Sequence, residues 1–264
     1  MGLKAFLYDE GVADELNVEE IAQYLGRKMG EVEIEARGNP FDFNLSRDEI
    51  LAYAKKIAGT KIQEVNKKLT PEQEPLHGEI EYEKRRISGK TRAFGILYDG
   101  FYLQSLFREL IPREERRLEL VHIFFTNRLF ATWDEVNQRY HLRTSMYSIP
   151  SVISTSGLIE APAKPREYYL LRQQYEKFGR DIAELKDTFR GNLIDYEDKR
   201  LSEVVKGYAT QAVFYSLTGD PFCQDKGCRL YNAHWQEELI FAQLESEYEF
   251  CQRHTKLLEN ELSR

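Results

Sequence analysis

Apolar side chains follow three rhythms along the N-terminal part of the chain. Residues 4–8 are mostly apolar and end at Asp9 and Glu10, the pattern of a buried strand. Ile21, Leu25 and Met29 then recur at helical spacing within a segment from Val18 to Met29. Val32, Ile34 and Ala36 alternate with polar residues, which predicts a second strand that stops at the turn residues Gly38, Asn39 and Pro40. Ser46 with Glu49 three residues later forms a capping box ahead of Ile50, Ala52, Tyr53 and Ile57, so a second helix follows. Strand, helix, strand, helix is the opening of an α/β layer structure.

The pattern weakens over residues 60–90, a polar stretch with Pro71, Pro75 and Gly89 that reads as an inserted hairpin or loop region. Phe94 to Tyr98 is apolar, and Leu118 to Phe125 is close to the continuous apolar run of a central strand, with Glu119 near its start and His122 as the one polar guest inside. Two more strands are predicted near Arg143 to Tyr147 and over Ser151 to Thr155. Beyond Pro165 the chain reads as helix almost to the end, broken near Gly191 and again from Gly219 to Gly227. The last of these helices is expected to carry Leu239, Ala242, Leu244, Tyr248 and Leu257 on a continuous path. No internal repeat interrupts the order.

Composition narrows the function classes. Hydrophobic residues make up 42% of the 264 and charged residues 31%, with a net charge of -7. That acidic balance argues against a broad surface for nucleic acid or anionic lipid. The basic stretch over residues 83–92, with Lys84-Arg85-Arg86 at its centre, reads as a solvated face. No run approaches the ~18 consecutive apolar residues of a membrane helix, and the first residues lack the character of a signal peptide. The expectation is therefore a cytoplasmic protein that neither spans a membrane nor binds nucleic acid. Gly89-Lys90-Thr91 ends like a phosphate-binding loop, but Lys84 stands where that motif needs its first glycine.

The three cysteines all lie between Cys223 and Cys251. An odd number in a reducing compartment points away from a disulfide framework and towards metal. Cys223 and Cys228 are separated by four residues, and Cys251 and His254 stand at i and i+3, on one face if that stretch is helical. Two pairs of this kind predict one structural zinc, because a closed shell of three thiolates and one imidazole satisfies a tetrahedral ion and leaves no position for water or substrate. His234, six positions past Cys228, is the rival fourth ligand.

The stretch Gly219-Asp220-Pro221-Phe222-Cys223, four residues, then Cys228-Arg229-Leu230 resembles the C-terminal motif of the archaemetzincins, His-Glu-x-x-His-x-x-Gly-x-x-His-Cys, four residues, Cys-x-Met, followed by a Cys-x-x-Cys. The resemblance lays the motif glycine on Gly219, its cysteines on Cys223 and Cys228, its methionine on Leu230 and its last pair on Cys251 and His254. The three catalytic histidines fall on Ala212, Ser216 and Phe222, and the general-base glutamate on Val213. No residue suited to bind a catalytic zinc or activate its water stands at these positions. Upstream, Asn39-Pro40-Phe41-Asp42 with Ser46-Arg47, and Val152-Ile153-Ser154-Thr155, are similar to further segments of the same family.

The resemblance implies a metzincin-like mixed sheet with packed helices and a helical C-terminal region, in a single domain over residues 1–264. Residues 60–117 would be an insertion, and residues 196–264 would hold the active-site-like helix and the zinc-clipped last helix. It implies a metallopeptidase-like scaffold without peptidase activity, whose former cleft takes an extended peptide or protein along a sheet edge. Ala212 and Ser216, one helical turn apart, would then either leave a small pocket or be covered by Phe222. The competing reading is an active hydrolase with a relocated metal site, drawing His122, His141 or His77 together with Asp195 or Asp198.

Overall fold

A computed structural model of the chain describes residues 3–11, 15–30, 32–42, 45–70, 74–89, 95–117, 119–181, 183–189 and 191–261. The strands are β1 (Lys4–Asp9), β2 (Glu33–Gly38), β3 (Leu97–Asp99), β4 (Leu120–Thr126), β5 (Leu129–Asp134), β6 (Arg139–Arg143), β7 (Ser145–Met146) and β8 (Ser151–Ser154). The helices are α1 (Val18–Lys28), α2 (Arg47–Ala58), α3 (His77–Ile87), α4 (Gly100–Leu110), α5 (Thr155–Glu160), α6 (Arg166–Phe178), α7 (Ala183–Thr188), α8 (Leu201–Thr218), α9 (Gln236–Ile240) and α10 (Gln252–Glu261).

The main sheet runs β2-β1-β4-β8-β7, parallel except for β7, which pairs antiparallel with β8 at one edge. Both faces of this sheet are covered, which is why β1 and β4 carry near-continuous apolar runs rather than apolar residues at alternate positions. Ala5, Leu7, Val121, Ile123 and Phe125 face a core shared with α1 and α8. Phe6, Tyr8, Phe124 and Val152 face a second core shared with α2 and α4. The capping box expected at Ser46 is present: Glu49 N donates to Ser46 Oγ at 3.2 Å and Ser46 N to Glu49 Oε2 at 2.8 Å.

Two segments depart from the sequence reading. Residues 77–87, expected as hairpin or loop, form α3. Periodicity misses this helix because the groups it turns inward are charged. Glu83 is fully buried and accepts from Tyr98 Oη at 2.8 Å, with Lys61 Nζ at 3.1 Å and Arg128 on its other oxygen. Arg128, itself fully buried, also holds Glu10 Oε1 at 2.8 Å, so residues far apart in the chain stabilise the helix. The second departure is the antiparallel hairpin β5-β6, which joins β3 in a separate three-stranded sheet. Its turn is closed by Asp134 Oδ1, which accepts from the amides of Val136 and Asn137. Phe94 and Leu118, read as the starts of apolar strands, lie outside the described residues.

α8 is buried on nearly all sides from Leu201 to Phe214, not only on the face towards the sheet. The polar guests on it are satisfied: Lys206 Nζ holds Glu20 and Glu203, and Thr210 Oγ1 donates to the Lys206 carbonyl at 2.8 Å. The segment after it covers its outer side. Among the described residues no helix is long and apolar enough to cross a membrane.

Candidate metal centre

α8 ends at Gly219, whose φ of +76° suits a residue without a Cβ and lets its amide close on the Tyr215 carbonyl at 2.8 Å. The chain then turns back as a short knuckle. Cys223 N donates to the Leu230 carbonyl at 2.9 Å, Cys228 N to the Asp225 carbonyl at 3.0 Å, and Asp225 N approaches Cys223 Sγ at 3.3 Å. Asp225 Oδ1 accepts from Gly227 N at 3.0 Å and Tyr248 Oη at 2.8 Å. A Cβ on Gly227 would stand 2.6 Å from Tyr248 Oη, so any side chain there would displace that hydroxyl from Asp225.

The second pair arrives on a broken helix rather than a continuous one. α9 passes into a single π turn, Phe241–Glu245, and residues 246–250 are irregular before α10 begins. Cys251 therefore stands immediately before α10, its carbonyl accepting from Thr255 N at 3.0 Å, and His254 lies in the first turn. The expected tie to the middle of a last helix is corrected to a tie at its N-terminal end. The i, i+3 relation survives because both residues still belong to one turn. The irregular stretch is held by Arg229, whose amide donates to the Glu249 carbonyl at 2.7 Å and whose guanidinium reaches Glu203 and, at 3.1 Å, the Gln243 carbonyl.

Cys223, Cys228, Cys251 and His254 converge, with donor atoms all within 4.8 Å of one another. Cys223 Sγ and Cys251 Sγ are 3.8 Å apart, and His254 Nδ1 lies 3.2 Å from Cys251 Sγ and 3.6 Å from Cys228 Sγ. Tetrahedral coordination with Zn–S near 2.3 Å and Zn–N near 2.05 Å places sulfurs about 3.8 Å apart and sulfur and nitrogen about 3.6 Å apart. The donor set and its spacing thus fit a zinc ion. The surroundings agree: burial pushes the Cys228 thiol up to about 12 and the Cys223 thiol up as well, and pushes His254 down. Burial thus favours the neutral thiols in the chain alone, and a bound cation would be what stabilises them as thiolates. The His254 ring stands edge-on to Phe214 of α8 at 5.4 Å, which fixes its orientation. His234 is exposed and lies outside the cluster, where its amide donates to Glu238 at 3.1 Å.

No second group of this kind occurs among the described residues. Ala212 and Val213 are fully buried in the α8 core, and Ser216 Oγ donates to the Ala212 carbonyl at 3.3 Å. Phe222 packs edge-on to Tyr147 at 5.8 Å, Tyr147 lies beside Tyr215, and its hydroxyl donates to Gln211 Oε1. Aromatic packing therefore holds Phe222, one of the three positions that the resemblance laid on the archaemetzincin histidines. Next to it a cavity of about 190 Å³ opens between Arg143–Ser145 and Asn232–His234, floored by Tyr208 and Gln211.

The other histidines are dispersed. His122 is buried between Tyr8 Oη, 3.0 Å from Nδ1, and the Glu115 carbonyl, 3.1 Å from Nε2. A carbonyl only accepts, so Nε2 carries the proton and Nδ1 accepts from Tyr8. Burial lowers this imidazole to about 4, and it stays neutral. His141 pairs with Asp134 at 3.3 Å on the β5-β6 hairpin, and His77 is exposed at the start of α3. Asp195 and Asp198 line a different cavity, of about 860 Å³, with Asp198 held by Arg200 at 2.7 Å. In the basic stretch Arg86 turns inward to Tyr98 Oη at 2.9 Å and Lys84 pairs with Glu81. Residues 90–92 of that stretch, with the lysine and threonine of the phosphate-loop-like triplet, lie outside the described residues.

Fold and cluster together define a mixed α/β chain with a buried three-cysteine, one-histidine centre near its carboxyl end. The model of a probable metallopeptidase family (DUF6775) matches residues 1–261, and the chain belongs to that family. Among solved structures it is similar to archaemetzincin from Methanopyrus kandleri, with 13% identity and a TM-score of 0.47 over 100% of this chain and 97% of that one. It is also similar to a zinc-dependent peptidase from Methanocorpusculum labreanum, with 12% identity and a TM-score of 0.47 over 98% and 99%. No curated protein matches the sequence.

Proposed function

We propose that this chain is a member of its family that holds one structural zinc ion through Cys223, Cys228, Cys251 and His254 and uses the scaffold to bind an extended peptide without cleaving it. The convergence of four soft donors within 4.8 Å carries the first half of the reading. Four protein ligands close a tetrahedral shell, so zinc bound there supplies structural cohesion rather than an activated water. The residues themselves join the knuckle after α8 to the start of α10 and hold both against Phe214. The absence of cleavage rests on α8 and the loop after it, where Ala212, Val213, Ser216 and Phe222 offer neither a metal-ligand triad nor a general base.

The peptide-binding half is supported by the edge of the main sheet. β7 is the last strand in its order, and an edge of this kind offers backbone groups to an added strand. The cavity beside it is large enough to accept one side chain. Elemental analysis of the purified chain, paired with a casein-hydrolysis assay, tests the reading. One zinc per chain with no hydrolysis is expected. Two metals, one exchangeable and required for cleavage, would instead support an active hydrolase. Slowed amide exchange at Ser145 to Tyr147 on adding a digest of unfolded casein is the expected sign of the bound strand, and unchanged exchange there removes the peptide from the proposal.

A further inference from the structure

The sulfurs of the cluster are not equivalent. Cys228 is fully buried beneath the knuckle, Cys223 is 8% exposed, and Cys251 is half-buried. Cys223 and Cys251 come from separate segments, and their sulfurs are 3.8 Å apart. A disulfide needs about 2.05 Å, a closure of less than 2 Å, and Cys251 is preceded by an irregular stretch, residues 246–250, rather than by continuous helix. Attack on an oxidant requires an accessible sulfur, a condition that half-buried Cys251 meets, with the buried Cys223 sulfur beside it to resolve the product and Cys228 sealed away.

We infer that Cys223 and Cys251 form an oxidisable pair, and that a hydroperoxide closes them into a disulfide, expels the zinc and frees the start of α10 from the knuckle. This inference rests on the zinc reading above. One sulfur attacks the peroxide oxygen, the O–O bond breaks, and a sulfenic acid and one water or alcohol result. The second sulfur displaces the hydroxyl as water, so two thiols lose two electrons and one peroxide gains them. Only Cys228 and His254 remain as donors, and two ligands do not retain a structural zinc. Reduction by a dithiol restores the pair.

The test uses the zinc-loaded full chain, hydrogen peroxide, a chromogenic zinc chelator and a peptide mass map. One zinc released per disulfide formed is expected, with Cys223 joined to Cys251 and zinc rebinding after dithiothreitol. The variant Cys251→His keeps four zinc ligands but removes the partner thiol, and its zinc release should be at least tenfold slower. Zinc retained under excess peroxide, a bridge that includes Cys228, or equally fast release from Cys251→His overturns the inference. Should that variant fail to fold, the mass map of the unmodified chain decides alone. A chain that carries no zinc before peroxide is added overturns the metal reading and this inference together, whereas zinc carried and then kept overturns only this one.

Discussion

Gln243 lies across α8 at Gly207, so close that a Cβ on residue 207 would sit 1.8 Å from Gln243 Oε1. From there Gln243 Nε2 donates to the Arg229 carbonyl at 2.9 Å, one residue past Cys228. A glycine in mid-helix, costly for helix propensity, thus lets the π turn approach and brace the knuckle that carries Cys223 and Cys228. Gly207→Ala is expected to push the amide aside and break that buried bond. The loss of about 1–3 kcal/mol for an unsatisfied polar group outweighs about 1 kcal/mol gained in propensity. In a Gln243→Ala background the same change should be neutral or stabilising, a coupling that a double-mutant cycle in urea reads directly.

If the cluster holds zinc as proposed, removal of one of its cysteines should be costly in a way that removal of the rival histidine is not. Cys228→Ala is expected to lose zinc and about 4 kcal/mol or more, in the range reached by few mechanisms besides loss of a core or a metal. At this chain length that corresponds to roughly 10 °C in Tm. His234→Ala should keep both zinc and Tm. Mass spectrometry under non-denaturing conditions together with calorimetry distinguishes the pair of outcomes, and zinc lost from His234→Ala would reassign the fourth ligand.

His122 gives the fold a pH dependence of definite sign. Burial first, and then the nearby Arg37 charge, hold the imidazole at about 4 against an ordinary 6.5, although contacts with Glu115 act the other way. The folded value lies below the unfolded one, so the contribution is complete above pH 6.5 and is lost as pH falls towards 4, amounting to about 3 kcal/mol. Zinc ligands also protonate in acid, so the measurement is a difference between the chain and His122→Gln. Denaturant midpoints at pH 7, 5.5 and 4.5 should converge as the pH falls, and a constant gap would contradict a neutral buried imidazole.

Arg128 tests how the charged core holds α3 and the hairpin in place. Arg128→Met leaves Glu83 buried without its guanidinium and Glu10 without a partner on that side, with an expected loss of about 3–5 kcal/mol. Hydrogen exchange should report the loss most strongly in α3 and β5. A variant as stable as the parent would show that Lys61 and Tyr98 suffice for Glu83.

The sequence by itself determined those elements whose causes are local or repeated. Residues 4–8 and the run ending at Phe125 are legible because a sheet covered on both faces demands continuous apolar strands, and the helix after Ser46 because its cap uses two residues three apart. The four metal-ligand candidates were legible for a related reason: three cysteines and one histidine at matched spacings are chemically unusual whatever fold surrounds them. Tertiary structure alone decided the rest. α3 is helical because Glu83 and Arg86 find partners at Tyr98 and Arg128, and hydrophobic periodicity carries no trace of an ion pair across the chain. The β5-β6 hairpin did leave a local signal in the turn from Asp134 to Asn137, but its strands lack clean alternation since only part of each is covered. The break before Cys251 follows from Gln243 and Arg229 closing on α8, so the place where the clip meets the last helix depended on packing between distant segments, which spacing does not encode.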